Sequence, residues 1–310
     1  MRPTECFKIR IATTEDVDIF NIHQYNTILE IFNDSYISIN PTVIEADPFL
    51  FVDNQTLFLF YESQKIRKHG VIKMISTKDL KTWTEPTIVL KEPYHLSYPF
   101  VFKENGIIYM IPETNQDNSV KLYKASDDSL REFKFEQTLL HQPKQNGITI
   151  NYSDSSIIKL NGCYYLNTCV QRNGINNSEL YFSQNLLGPY ILHPASPICI
   201  SKRYGRNGGS FIQYNNNIYR VSQDCEQRYG DNIHLHKIEE LTPTSYKEIL
   251  FKENVFPSSI DFYKNGGHQF NYASFLGKTV IATDAKEYHK FLISAIAHKL
   301  KKIYERTFRK

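Results

Sequence analysis

Residues 97–114 read SYPFVFKENGIIYMIPET. An alternating apolar run meets an Asn-Gly pair, a second apolar run follows, and a carboxylate, Glu113, stands where that run ends. Two such runs split by Asn-Gly specify a β-hairpin, because both central positions of a tight hairpin turn take positive φ, which costs least for Asn and Gly. Residues 46–62, ADPFLFVDNQTLFLFYE, repeat the construction and end on Glu62. The opening strand recurs again as SDSSII at Asp154, GGSFIQY at Gly209 and GGHQFNY near Gly267. The spacing, roughly fifty to sixty residues, is in the range of propeller or solenoid repeats.

Third strands follow at GVIKMISTKD, SVKLYKASDD, SELYFSQN and NIHLHKIEE, each trailed by a fourth apolar stretch such as TWTEPTIVL or FKFEQTLL. Four short strands per repeat make one blade. The fifth copy has its first strand and a second, KTVIATDA, but no third, whereas FKIRIATTED (Phe7 to Asp16) reads like VIKMISTKD. The pattern predicts an all-β fold: a five-bladed β-propeller over 1–285, closed by the N-terminal strand so that no edge is left exposed. Over 286–310 the period changes. Leu292, Ile296, Leu300 and Ile303 fall at helical spacing, with Lys299, Lys301, Lys302, Arg306 and Arg309 on other faces. This predicts a basic amphipathic helix, either packed on the propeller or offered to a membrane surface or partner.

Composition agrees with strands: 20 Phe and 21 Tyr stand against one Trp and three Met, and aromatic residues suit pleated, half-buried surfaces. A net charge of +3, without a basic stripe interleaved with aromatics, argues against nucleic acid. The N-terminus lacks an apolar core of signal-peptide length and no segment reads as a membrane span, so a cytoplasmic location is the default expectation. Five cysteines without paired metal spacing read as reduced thiols. GRNGGS lacks the strand-loop-helix setting of a phosphate-cradling loop.

First strands of propeller blades line the central axis, so Asp47, Tyr98, Asp154, Gly208/Gly209 and His268 are expected to face one another at one mouth. Glu62 (FYE), Glu113 (IPET) and Asp224 (SQDC) end second strands and could lean toward the same mouth or serve as structural acceptors. Arg228 and Arg206 are candidate partners for these acids or for an anionic ligand group, since a guanidinium fork grips carboxylate or phosphate. His95 precedes the second axial strand and is a candidate ligand contact. Tyr98, Trp83 and Tyr229 are candidate sugar-stacking faces.

The blade openings ADP at Asp47 and SDSS at Asp154 resemble the two aspartate motifs of the five-bladed arabinanase, xylosidase and levansucrase superfamily. EADPFLF, FYE, EPYHLSYPFVF, IPET, LLGPY, SQDCEQRYG and LTPTSY together resemble the N-terminal propeller domain of plant glucosamine inositolphosphorylceramide transferases. Similar bacterial proteins are associated with surface-polysaccharide biosynthesis. The resemblance covers roughly residues 5 to 285. It implies Asp47 as base or nucleophile and Asp154 as the residue that orients the sugar and tunes the acid, glycoside chemistry requiring opposed carboxyl groups in different protonation states. Where the superfamily reads Glu-Gly-Pro, this chain has GGS, with Gly208 at the acid position, so Glu113 or Asp224 is the expected substitute. The resemblance also places a histidine, here His268, where it supports a central water or metal ion; otherwise no cofactor is expected.

Two functions remain open. One is a carbohydrate-active enzyme, glycosidase-like or transferase-like, that processes a surface-polysaccharide or glycolipid precursor through Asp47, Asp154, Glu113 and Asp224, with Glu62, His95, Tyr98, Arg206, Arg228 and His268 on the substrate. The other is a non-catalytic module that holds a glycan or sugar nucleotide for a partner glycosyltransferase. Either is expected in the cytoplasm, with peripheral contact at the inner face of the membrane through the C-terminal helix.

Overall fold

A computed structural model of the protein describes residues 3–32, 38–141 and 150–308, the last eight without their side chains. Among the described residues the chain is all-β apart from three short 3-10 turns and one helix, Leu292–Phe308. Thr42–Asp53, Thr56–Lys65, Val71–Thr77 and Thr87–Leu90 pair antiparallel in chain order. Ser97–Glu104, Ile107–Thr114, Ser119–Ala125 and Phe133–His141 repeat that meander, as do Tyr152–Leu160, Cys163–Arg172, Ile175–Ser183 and Ile191–Leu192. In the fourth group Arg206–Asn207 and Ile212–Tyr214 both pair with Asn217–Gln223, followed by Ile233–Leu241 and Tyr246–Lys252.

The fifth group joins the two ends of the chain. Phe270–Phe275 pairs with Lys278–His289, which pairs along its length with Thr4–Thr14, from Thr4 opposite His289 to Thr14 opposite Thr279. Asn26–Ile31 adds the outer strand. A single parallel pair, Phe7 with Ile44, merges this group with the first into one eight-stranded sheet.

The turns show why these segments fold as they do. Asn54-Gln55, Asn105-Gly106, Asn161-Gly162, Asn215-Asn216 and Leu276-Gly277 each have positive φ at both central positions, the twist that a two-residue hairpin loop needs. Five apolar clusters fill the spaces between consecutive groups. Phe60, Ile72 and Met74 pack on Val101, Met110 and Phe133; Ile111 and Leu122 on Tyr152, Leu166 and Val170; Ile158 and Tyr165 on Ile218 and Tyr246; Val221 and Leu235 on Phe270 and Ile281; Ile9, Ile11 and Val280 on Leu50, Leu59 and Ile75. Both faces of the inner strands are therefore covered, and Ile107–Thr114 is almost wholly buried. Each large apolar side chain so buried contributes about 1.5–3 kcal/mol. Trp83 packs into the last of these clusters rather than at the site.

The strand expected to end at 285 continues to His289, and the helix begins only at Leu292. Lys286 is the physical reason: it is drawn into the sheet, and its buried ammonium donates to the carbonyl of Tyr229 at 2.6 Å and meets Asp231 Oδ1 at 3.1 Å. On the helix, Leu292, Ile293, Ile296 and Leu300 are exposed, while Arg67 donates to Ser294 Oγ at 2.9 Å. The side chains of Lys301, Lys302, Ile303, Arg306 and Arg309 lie outside the described residues. No helix among the described residues is long and apolar enough to cross a membrane.

Gly208 and Gly209 lie where the fourth group closes on the fifth. A Cβ on Gly208 would stand 2.8 Å from the carbonyl oxygen of His268, and one on Gly209 would stand 2.3 Å from that of Phe270, while Phe270 N donates to Gly208 O at 2.9 Å. The acid position of the fourth repeat is thus occupied by backbone contact. Gly208→Ala is expected to cost about 1–3 kcal/mol, read as a lower urea midpoint with unchanged slope. A wild-type midpoint would show that the strands part freely enough to admit a side chain.

Candidate active site

Three first strands share one irregularity. Pairing skips between Ala46 and Phe49, between Ser97 and Phe100, and between Ser153 and Ser156. Within those skips Asp47, Tyr98 and Asp154 have φ of 51°, 47° and 52°. A bulge re-aims backbone and side chain together, and here it turns each N–H toward a neighbouring carboxylate. Asp47 N donates to Asp284 Oδ2 at 3.1 Å, Tyr98 N to Asp47 Oδ2 at 3.0 Å, and Asp154 N to Glu113 Oε2 at 3.3 Å. Asn207 Nδ2 then donates to the Asp154 carbonyl at 2.7 Å. Together with the Phe270–Gly208 bond, these contacts link every strand group to its neighbour.

The side chains so gathered carry unequal charge compensation. Arg206 Nε donates to Asp154 Oδ2 at 2.6 Å, and Gln223 Nε2 meets the same oxygen at 3.2 Å. The Arg206 Nη2 group lies 3.6 Å from Glu113 Oε2. Burial, followed by the charge of Asp154, nevertheless lifts Glu113 to about 8 against the partial opposition of Arg206. Burial also lifts Asp47 to about 7, with His268 pulling it down and Asp284 and Asp154 pushing it up. Glu62 is raised well above the ordinary range by burial and by the charges of Asp47 and Glu113. His268 is raised because Asp284 and Asp47 overcome the opposing effect of burial; its Nδ1 is 2.6 Å from Asp284 Oδ2 and its Nε2 is 3.7 Å from Asp47 Oδ1. Tyr229 overhangs the group, with its ring 5.1 Å from the Arg206 guanidinium and edge-on to His268.

Asp47, Glu62, Glu113, Asp154, Arg206 and His268 are therefore brought together. His95 joins at the edge, Nε2 3.4 Å from Glu62 Oε1 and Nδ1 accepting from Gly70 N at 3.0 Å. Three expectations are corrected. Asp224 is turned away to Arg203 and His234, both at 3.3 Å, and it accepts from Glu226 N. It stands just beyond the strand Asn217–Gln223, and the residue that reaches the site is its neighbour Gln223. Arg228 is more than half exposed and pairs with Asp231 at 2.9 Å, leaving Arg206 as the internal cation. Tyr98 is only 1% exposed and packs edge-on against Phe49, so it serves the site through its backbone and offers no stacking face.

Asp284, Gln223 and Asn207 were missed. Asp284 had a signal: in KTVIATDA it follows a buried apolar run near the end of a second strand, as Glu62 and Glu113 do. At the corresponding place in the third group, opposite Ser153, stands Cys169, so one carboxylate of the series is absent there. The donors of Asp47, His268 and Asp284 come within 4.8 Å of one another and fit a hard or borderline divalent cation in kind. Both Asp284 oxygens already accept backbone N–H groups, from Asp47, His268 and Gln269. The far ends of the same strands open on a separate cavity of about 460 Å³ beside Phe100, Phe102, Phe211 and Tyr272.

A raised folded pKa means that the folded chain keeps a proton that the unfolded chain has lost, so stability falls as pH rises through that window. For Glu113 the window runs from 4.5 to about 8, and Asp47 and His268 act in the same direction. Urea unfolding across this range is expected to show falling stability, with a shallower fall in Glu113→Gln. An unchanged slope in that variant would remove Glu113 as a source.

Comparison with known proteins bears on this arrangement. Residues 25–276 match the family model described as "Glucosamine inositolphosphorylceramide transferase 1, N-terminal". The chain is 37% identical over 217 residues to glucosamine inositolphosphorylceramide transferase 1 of Oryza sativa subsp. japonica, covering 67% of this chain and 28% of that protein. Its identity to the protein of that name from Arabidopsis thaliana is 35% over 241 residues, 74% of this chain and 29% of the other. The chain thus spans less than a third of the length of these relatives. Among solved structures, Bacteroides ovatus GH43B aligns over 82% of this chain and 55% of its own, at TM-score 0.54 and 13% identity. The family 117 glycoside hydrolase Zg3597 from Zobellia galactanivorans aligns over 78% and 84%, at TM-score 0.53 and 13% identity. At such identities the likeness is one of fold. With most of its length matched by the family model and with relatives above 30% identity, the chain belongs to the glucosamine inositolphosphorylceramide transferase 1 N-terminal family.

Proposed function

We propose that this chain is a carbohydrate-active enzyme, built as a closed five-bladed propeller, that cleaves or transfers a glycosyl unit of a surface-polysaccharide or glycolipid precursor. The observation that carries the reading is the convergence of Asp47, Glu113 and Asp154 from three different strand groups, with unequal compensation. Glu113, lifted to about 8, holds a proton at neutral pH and acts as general acid on the leaving oxygen. Asp47, at about 7, lies where a base works near neutrality. Asp154, bridged by Arg206 and Gln223, orients the sugar and stands close enough to raise the Glu113 carboxyl. Glycoside chemistry needs such a division of labour between carboxyl groups.

Mass spectrometry of oligosaccharides, sugar nucleotides and lipid-linked sugars incubated with the protein tests this. Wild type is expected to yield a product, and Asp47→Asn to lower its rate by about 10²–10⁴-fold while saccharide binding persists. Full activity in that variant would sink the assignment. Gly208 favours a second reading, because its backbone contacts leave no room for the superfamily acid. On that reading the chain holds a glycan or sugar nucleotide for a partner glycosyltransferase, and the panel would show retention without product.

The exposed Leu292, Ile293, Ile296 and Leu300 support placing the helix against the inner face of the cytoplasmic membrane, where an apolar stripe is buried in the interface. Leu292→Ser/Ile296→Ser/Leu300→Ser is expected to abolish cosedimentation with phosphatidylcholine–phosphatidylglycerol vesicles. Undiminished cosedimentation would separate the helix from membrane contact.

A further inference from the structure

At one end of the first strand group, on the strand that carries Glu62, a cavity of about 480 Å³ is lined by Ser63, Lys65, Lys68, His69, Lys73 and Lys91, among others. Its charge is poorly compensated. Lys73 meets Glu45 Oε1 at 3.2 Å, but burial raises the Glu45 carboxyl above its ordinary range. Glu92, the one acid on the wall, accepts from Tyr123 Oη at 2.9 Å. Among the described residues no carboxylate pairs with Lys65, Lys68 or Lys91. Like charges converging on one concavity repel at close range, and an anion in that space relieves the repulsion.

The position of the cavity gives this charge a use. The strand Thr56–Lys65 carries Glu62 into the acid cluster and, three residues on, Lys65 into the cavity. His69 precedes Gly70, whose N–H holds His95 against Glu62. Lys68 also lines a neighbouring cleft with Ser294, Ala297 and His298 of the helix. Carboxylates, lysines and helix therefore follow one another along one side of the molecule.

We propose that Lys65, Lys68, His69, Lys73 and Lys91 form a binding site for a phosphoryl or diphosphoryl group, placing the sugar attached to it at the carboxylates. The attachment to a sugar rests on the function proposed above; the anion site stands on the cavity alone. Phosphate oxygens accept bonds from several ammonium groups at once, and each charge-assisted contact is among the stronger hydrogen bonds.

The test is calorimetric titration of the full chain with inorganic pyrophosphate, together with flotation on phosphatidylcholine vesicles with and without phosphatidic acid. Lys65, Lys68 and Lys91 are exposed, so Lys65→Ala/Lys68→Ala/Lys91→Ala is expected to keep the wild-type Tm while binding pyrophosphate about tenfold or more weakly. Added salt should weaken the wild type in the same way, and Asp47→Asn should bind pyrophosphate as the wild type does. Lysine-dependent binding of pyrophosphate with no preference for phosphatidic acid points to a soluble sugar phosphate or nucleotide. A lysine-dependent preference for phosphatidic acid points to a lipid-linked phosphate. Equal binding by the triple variant, or none by wild type to either probe, overturns the site. Pyrophosphate binding without any saccharide binding would overturn the glycan reading and leave the anion site standing; saccharide binding without lysine-dependent anion binding would do the reverse.

Discussion

The structure depends on a belt of hydrogen bonds that passes from strand group to strand group around the carboxylates. Asp284 receives the N–H of Asp47, Asp47 that of Tyr98, and Glu113 that of Asp154; the Asp154 carbonyl receives Asn207, and the Gly208 carbonyl receives Phe270. In three of these links the donor is a bulged residue held at positive φ, a conformation that costs of order 1 kcal/mol or more for anything but glycine. An aspartate tolerates it and a tyrosine does so less readily, which makes Tyr98 the clearest sign that tertiary contact overrides local preference. Breaking one link would leave a buried donor unmatched as well as a sheet unmoored, so the acids cannot be replaced as freely as surface charges.

The same groups are asked to hold the fold and to stay chemically uncommitted. Buried carboxyls that cannot all ionise together keep protons at neutral pH, and groups shifted in this way tend to gather at functional sites. Arg206 sets the asymmetry: it sits on Asp154 and only approaches Glu113, so one acid is compensated and its neighbour is left high. Gly208 completes the division. The fourth group carries no side chain there and closes tightly on the fifth, whereas the second brings in the raised carboxyl of Glu113.

Much of the architecture was legible because it is written locally. Asn-Gly and its equivalents set hairpins, hairpins set the repeat, and the repeat predicted that Asp47, Asp154 and His268 would meet. The N-terminal strand was legible for the same reason, since FKIRIATTED could be matched to another third strand. What failed was resolution of one residue. Side chains alternate faces along a strand, so Asp224 and Gln223 differ by one step and by the whole site. The sequence put Arg228 ahead of Arg206 as the partner of the acids, and the structure reverses that order because the choice depends on where a loop returns in space. The role of Tyr98 lies in its N–H, which no side-chain pattern announces. Asp284 has the same pattern, a carboxylate near the end of a buried second strand, and it escapes a reading of KTVIATDA as a strand alone.

The pairing of Thr4–Thr14 with Lys278–His289 has a consequence for the order in which the molecule is made. Thr4–Thr14 can pair with Asn26–Ile31 soon after both have left the ribosome, but its other edge has no partner until the distant Lys278–His289 has been synthesised. Through that interval the nascent protein carries an apolar, unpaired strand edge, the feature most prone to adventitious pairing with other chains. Contacts between residues so distant in sequence also form slowly. This pairing therefore forms late, and the belt, whose Asp47–Asp284 link joins the same segment to the first group, becomes complete only then.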